Sequence, residues 1–113
     1  MHDRDFAVVW SRESIYDVSD IADYVESRFD QERADQFNDE IDREVKALGR
    51  DYELYTGTGI YYRQKLILKK VFDPSTIFYF VDETKETVFI VRVLRHERNW
   101  QKIIREGISY PFD

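Results

Sequence analysis

The chain has 113 residues, which is enough for one hydrophobic core, so residues 1–113 are predicted to form a single domain. It contains no cysteine and only two histidines, His2 and His96, which excludes disulfides and thiolate zinc sites; no metal ion or other cofactor is predicted. The net charge of −6 disfavours nucleic acid as a partner, yet the charge is uneven, because residues 1–56 carry 7 basic and 16 acidic side chains and residues 57–113 carry 10 and 7.

Two helices are predicted after a short first strand. The segment FAVVW is β-branched and aromatic, and Ser11 or Ser14 can cap the helix that follows. Apolar residues then recur every three or four positions in two successive segments. These positions are Ile15, Val18, Ile21, Ala22, Val25 and Phe29 in the first segment and Ala34, Phe37, Ile41, Val45 and Leu48 in the second. The two helices are expected to pack antiparallel with acidic outer faces, and the second is expected to end at Gly49.

Three antiparallel strands and a short last helix are predicted in the second half. The segment DYELYTGTG is typical of a loop, whereas IYYRQKLILKKVF, TIFYFV and TVFIVRVL indicate strands separated by the turns DPST and DETKE. A helix is expected from near Asn99 to Gly107. The predicted class is therefore α+β in two layers: an N-terminal strand, an antiparallel helical hairpin, a three-stranded antiparallel meander and a short C-terminal helix.

The predicted fold also separates the charges in space, with an acidic helical back and a basic sheet front. Lys69 and Lys70 are interpreted as solvated charges that protect a strand edge, with contact to phosphate as the alternative. The apolar strands TIFYFV and TVFIVRVL would leave part of the sheet uncovered, so a partner chain on the sheet is expected. No segment approaches 18 consecutive apolar residues and the N-terminal segment lacks a signal-peptide pattern, which predicts a cytoplasmic protein without membrane contact.

This order of elements, together with the segments YYRQKL, TIFYFVDE and VRVLRHERNWQKI, resembles the RelE/ParE superfamily of toxins from bacterial type II toxin-antitoxin modules. The resemblance covers nearly the whole chain and implies the RelE/ParE-like fold. It also implies a cytoplasmic toxin that is neutralised by a cognate antitoxin protein, usually encoded beside it. RelE-like members cut mRNA in the ribosomal A site without a metal, and ParE-like members poison DNA gyrase, so the implied partner is either the ribosome with its mRNA or gyrase.

The resemblance to RelE-like members implies a set of catalytic residues. Arg63 and Lys65 of YRQKL match a pair of basic positions that hold and help to cleave the phosphate, and His96 lies at the end of the last strand, where an imidazole can act as general base or acid. Further candidates for phosphate binding are Arg92, Arg95 and Arg98. The catalytic interpretation requires Arg63 and Lys65 to converge on His96 across the sheet.

Several alternatives stay open in the sequence. Thr76 stands where the family often has an arginine, and no tyrosine closely follows RHERNW, but gyrase inhibition needs no catalytic set. Three residues also have purely structural interpretations. His96 can be a simple strand-end residue, Arg92 can be a partner in a structural ion pair, and Trp100 can be a packing residue. The joint presence of Arg63, Lys65 and His96 favours mRNA cleavage, with gyrase inhibition as the alternative and a non-toxic protein-interaction module as a further one.

Overall fold

The computed structural model describes residues 5–96 and 99–106. The elements within them are β1 (Ala7–Trp10), α1 (Arg12–Arg28), α2 (Gln31–Asp51), β2 (Thr56–Tyr62), β3 (Lys65–Phe72), β4 (Ser75–Asp82), β5 (Thr87–Arg95) and α3 (Trp100–Glu106), with a single 3-10 turn at Tyr52–Leu54. The strands form one sheet in the order β1-β5-β4-β3-β2, in which β1 pairs with β5 in parallel and the other pairs are antiparallel. The predicted α+β class is confirmed.

The meander has four strands rather than the three predicted. The segment interpreted as one strand, IYYRQKLILKKVF, reverses at Arg63 and Gln64, where φ is 48° and 71°. Tight hairpins favour such left-handed backbone, but they usually place Asn or Gly there. Arg and Gln carry no turn signal, so the reversal is invisible in the sequence pattern. The Thr-Gly repeat that was predicted as a loop instead begins β2.

The helical hairpin is confirmed, with Phe29 and Asp30 as the only residues between α1 and α2. Ser11 is the cap of α1: its side chain accepts a hydrogen bond from the Ser14 backbone N–H at 3.0 Å and donates one to the Val91 carbonyl at 2.7 Å. Asp30 caps α2 in the same way through the Arg33 backbone N–H. These caps explain why both helices begin immediately after short polar residues.

The prediction that Gly49 ends α2 is wrong, since the helix continues to Asp51. A Cβ atom on Gly49 would lie 2.6 Å from the carbonyl oxygen of Phe6, and the Phe6 backbone N–H donates to the Gly49 carbonyl at 2.8 Å. Glycine is therefore present because the first strand passes directly over the helix, not because the helix needs a left-handed residue there.

Two hydrophobic clusters cover the two faces of the sheet. The helical hairpin covers one face, where the cluster includes Ile21, Phe37, Ile41, Val45, Leu48, Ile77, Tyr79, Val88 and Ile90. Helix α3 lies on the other face over Ile60, Ile67, Phe78, Phe80, Phe89, Val91 and Leu94. The central strands β4 and β5 are thus buried on both sides, and the expected need for a partner chain on them does not arise. None of the described helices is long and apolar enough to cross a membrane.

The extra strand also changes the environment of two lysines that were expected to be solvated at a strand edge. Because β2 is the edge strand, β3 lies inside the sheet, and its alternate side chains point to opposite faces. Lys70 faces the helices and is only 5% exposed, whereas Lys69 is half-buried on the side of α3. The helices are acidic as expected, with twelve acidic and six basic side chains in α1 and α2, but the expected basic front is not assembled, since Lys70 on β3 faces the helices.

Candidate functional site

His96 lies at the rim of a cavity on the α3 side of the sheet. The cavity has a volume of about 310 Å³ and is lined by Lys69, Val71, Thr76, Phe78, Leu94, His96 and Trp100. Its floor is the ring of Phe78, which stacks on Trp100 with the centroids 5.3 Å apart. The packing of Trp100 against the sheet therefore shapes this cavity, as one of the sequence alternatives expected.

The imidazole of His96 is already engaged by a carboxylate. Its Nε2 atom lies 2.6 Å from Oδ1 of Asp73, in the turn between β3 and β4, and both side chains are more than half exposed. The backbone N–H of His96 also donates to the carbonyl of Pro74 at 3.4 Å. The end of β5 is thus tied to the β3–β4 turn, and the Asp73 contact sets the orientation of the ring.

Lys69, whose main interpretation from the sequence was a solvated strand edge, is a cation of this cavity. Its Nζ atom lies 4.9 Å from the centroid of the Trp100 ring, and its backbone pairs with Phe78 on β4. The sequence contains a signal for this position of Lys69. The short Asp73–Pro74 turn makes β3 and β4 a tight hairpin, and every second residue before the turn points to the same face of β3. Lys69 is one of these residues and lies close to the Thr76 end of β4. Because the turn at Arg63 was not predicted, β3 was expected to be an edge strand with solvated lysines.

Arg63 and Lys65 lie at the opposite end of the sheet from His96. Lys65 begins β3 and pairs with Tyr62, whereas Phe72 at the other end of β3 pairs with Ser75, which in turn pairs with Arg95. A strand of 8 residues spans roughly 23 Å between these ends. The expected convergence of Arg63 and Lys65 on His96 therefore does not occur.

Arg92 and Arg95 point to the helix side of the sheet. Arg92 forms a two-pronged ion pair with Asp17 of α1, with Nε and a terminal nitrogen 2.7 and 2.8 Å from the two carboxylate oxygens. The carbon of the Arg95 guanidinium lies 3.6 Å from the centroid of the Tyr24 ring. The hydrogen bonds to Asp17 raise the pKa of Arg92, against the opposing effect of burial. Arg92 is thus a partner in an ion pair, the structural alternative.

A break in strand register places Arg92, Val93 and Arg95 all on the helix side of the sheet. Phe78 of β4 pairs with Arg92, but the next residue, Tyr79, pairs with Ile90, so β5 contains one extra residue. Such a bulge re-aims the side chains beyond it. Val88 and Ile90 face the helices, and Arg92 and Val93 follow them to the same side. Asp17 stabilises the bulge by accepting the Val93 backbone N–H at 2.9 Å.

The predicted basic cluster is therefore divided among separate places rather than assembled into one site. His96 lies at the α3-side cavity, Arg63 and Lys65 lie at the far turns, and Arg92 and Arg95 lie against α1. Arg98 lies outside the described residues. Among the described residues no group of three or more His, Cys, Asp and Glu side chains is arranged to hold a metal ion.

An apolar groove opens between the helices near β1. Its volume is about 250 Å³ and it is lined by Trp10, Ile15, Val18, Asn38, Ile41 and Asp42. Ile15 is 54% exposed and the adjacent Tyr16 is 62% exposed, so two large side chains are open to solvent beside the groove. This groove is surrounded by the acid-rich surfaces of α1 and α2.

Comparisons with known proteins agree with this architecture. The family model described as the ParE toxin of the type II toxin-antitoxin system parDE matches residues 8–100. A solved structure of the chromosomal ParDE toxin-antitoxin system from P. aeruginosa is similar, with a TM-score of 0.65 and 21% identity over 81% of this chain and 97% of that chain, which at this identity shows the fold. No curated protein sequence matches significantly. Because the family model spans most of the chain, the protein belongs to the ParE toxin family of type II toxin-antitoxin systems.

Proposed function

We propose that this toxin inhibits growth by poisoning DNA gyrase and not by cleaving mRNA. The observation that carries the proposal is the separation along β3 of the paired basic residues, Arg63 and Lys65, from His96. Metal-free RNA cleavage needs a base, an acid and cations around one phosphate, each within hydrogen-bond reach of its target atom. A toxin that acts by binding its target has no such requirement.

The arginines at the end of β5 support the same proposal. Arg92 is bound by Asp17, and Arg95 stacks on Tyr24, so both are used to hold β5 against α1. A guanidinium that serves a buried ion pair is costly to release for a substrate. Neither side chain is therefore positioned to stabilise charge on a phosphate beside His96.

A second candidate function, mRNA cleavage, rests on the α3-side cavity itself. It brings one imidazole, one ammonium group and one hydroxyl together, from His96, Lys69 and Thr76, above an aromatic floor. Such a set offers one proton-transfer group and one cation, fewer than the chemistry needs. If mRNA cleavage is the function, removal of the His96 and Lys69 side chains abolishes toxicity.

The double substitution Lys69→Ala with His96→Ala separates the two functions. We expect growth inhibition on induced expression, and inhibition of supercoiling by purified gyrase, to change by less than about 3-fold, because a gyrase poison does not use the cavity for proton transfer. Loss of a general acid or base from a nuclease typically costs 100-fold or more. Translation and DNA supercoiling are measured separately in the same cultures.

Lys102→Ala is the matched control, since it removes an exposed cation from α3 outside the cavity. Gyrase would be contradicted as the target by two joint results. These are a 100-fold fall in toxicity for the double variant and cut ribosome-bound mRNA in cells that express the unaltered toxin. Arrested translation with normal supercoiling would contradict it equally.

We infer that the cognate antitoxin covers the groove between α1 and α2. Exposed apolar side chains within an acidic surface match an amphipathic segment that carries basic residues. Ile15 is central to this inference, because it both lines the groove and is more than half exposed.

Ile15→Glu is expected to weaken antitoxin binding at least 10-fold while leaving toxicity intact. The substitution places a charge where an apolar partner side chain would be buried, and a tenfold loss corresponds to about 1.4 kcal/mol. Binding is measured by titrating the purified toxin with its antitoxin. Ser27→Glu adds the same charge at an exposed position in the last turn of α1, far from Ile15, and is expected to leave the affinity unchanged. Equal affinities for the three proteins would place the antitoxin elsewhere.

A further inference from the structure

Three cations meet at the end of the sheet farthest from His96. Arg63 is in the turn between β2 and β3, Lys65 begins β3, and Lys85 is in the turn between β4 and β5. We call these three residues the turn cluster. They line one cavity of about 110 Å³ together with Tyr62, Phe80, Phe89 and one acid, Asp82.

The floor of this cavity is aromatic and rigid. The ring of Phe80 lies 5.1 Å from that of Phe89 and 5.5 Å from that of Tyr62, and both phenylalanines are less than a tenth exposed. The Arg63 guanidinium lies over the Tyr62 ring at 5.2 Å. The cations therefore project from a firm apolar base.

Backbone strain is concentrated at the same end of the molecule. All the non-glycine residues with positive φ in the described chain, Arg63, Gln64 and Glu86, belong to the two turns that carry the cluster. Asn and Gly would form a two-residue turn at lower cost, so a chain that needed only to reverse direction has no reason to place Arg and Gln there. Strain of this kind is characteristic of functional positions.

We infer that the turn cluster binds backbone phosphates of the DNA held by gyrase, an inference that rests on the proposed function. The cluster offers cations for the phosphate oxygens and an aromatic floor for the apolar face of a deoxyribose, whereas an acidic protein surface would use only the cations. The β4–β5 turn also carries Glu83 and Glu86, and the end of α2 lies nearby, so the cations must offset these acids at a phosphate. The acidic helix α1 lies farther away, since Asp17 and Tyr24 contact Arg92 and Arg95 toward the other end of β5. The overall charge of −6 keeps binding to free DNA weak, which makes the contact depend on gyrase.

The test compares the unaltered toxin with the double variant Lys65→Gln, Lys85→Gln. Inhibition of purified gyrase is measured on a duplex substrate between about 50 and 200 mM salt, and binding to DNA-free gyrase is measured in parallel. We expect the double variant to inhibit gyrase about 10-fold or more weakly than the unaltered toxin. In a plot of log potency against log salt concentration, the magnitude of the slope is expected to fall by about 2, one for each lost cation. Binding to DNA-free gyrase is expected to stay within about 2-fold.

Lys46→Gln with Arg50→Gln is the matched control, since it removes the same charge from the exposed face of α2. Unchanged inhibition and salt slope in the turn-cluster variant would overturn the inference while leaving gyrase as the target. An equal loss of binding to DNA-free gyrase would assign the cations to a protein contact and overturn the phosphate assignment. Failure of the unaltered toxin to inhibit gyrase would refute the proposed function, and the inference with it.

Discussion

Replacing Asp17 by alanine is expected to lower the free energy of unfolding by about 3 kcal/mol, because it removes the carboxylate that accepts two hydrogen bonds from the buried Arg92 guanidinium. The carboxylate accepts two hydrogen bonds from Arg92 and one from the Val93 backbone N–H, and the two side chains are 11% and 17% exposed. The loss is measured by urea unfolding, with an unchanged m-value as the sign that the native and denatured states keep their compactness.

A second substitution identifies the cause of that loss. Asp17→Ala combined with Arg92→Met also removes the buried guanidinium, so about 2 of the roughly 3 kcal/mol of lost stability should return. The remaining loss comes from the Val93 backbone N–H, which has lost its Asp17 acceptor in both variants. Asp23→Ala, on the exposed face of the same helix, should change stability by less than about 0.5 kcal/mol. A double variant as unstable as Asp17→Ala would show that the ion pair is not the source.

Lys70→Ala is expected to lower the free energy of unfolding by about 3 kcal/mol, largely because the packing of the lysine stem is lost. The side chain is 6% exposed, its ammonium group donates to the Glu44 backbone carbonyl at 3.0 Å and contacts the Glu44 carboxylate at 3.0 Å, and it lies 5.1 Å from the centroid of the Tyr55 ring. Truncation to alanine leaves a cavity between β3 and α2 of the kind that destabilises protein cores. Chemical denaturation is again the measurement.

Lys70→Met distinguishes packing from charge. Methionine keeps the length of the apolar stem, and Glu44 is 35% exposed, so water can hydrate its carboxylate when the lysine is gone. We expect a cost below about 1 kcal/mol, in line with the small net value of buried ion pairs that are replaced by apolar groups. If methionine were as destabilising as alanine, the ion pair and not the stem would hold α2 on the sheet.

These two anchors connect the fold to its candidate functional surfaces. Asp17 fixes the bulged end of β5, from which the chain passes through His96 to α3. Lys70 joins α2 to β3, the strand that also carries Lys69 and Lys65. Both anchors therefore lie between the acid-rich helices and the sheet. A variant that loses either one should also lose toxicity, but only in proportion to the fraction that is unfolded.

The helical hairpin was predictable because its signals are local. The apolar period, the serine and aspartate caps and the short link each act within a few residues, and Ile41, Val45 and Leu48 are buried as that period requires. The resemblance of VRVLRHERNW and TIFYFVDE to known toxins was sufficient for the family. Neither kind of signal contains the register of one strand against another.

The candidate site was not predictable because it depends on register. An arginine and a glutamine in left-handed backbone hid the β2–β3 turn, so β3 was expected at the edge of the sheet, where its lysines would be solvated. One extra residue in β5 then brought Val93 and Arg95 to the helix side, which Arg92 already shares with Val88 and Ile90. A one-residue change in register exchanges the two faces of a strand, so small errors become large ones.

From its own residues the chain determined the α+β class, the two amphipathic helices, their acidic surface and the membership of a toxin family. Only the tertiary structure decided which cations share a surface: it placed Lys69 beside His96, separated Arg63 and Lys65 from both, and joined them to Lys85. The physical reason is that helix signals repeat within one segment, whereas a site on a sheet is assembled by hydrogen bonds between strands far apart in sequence.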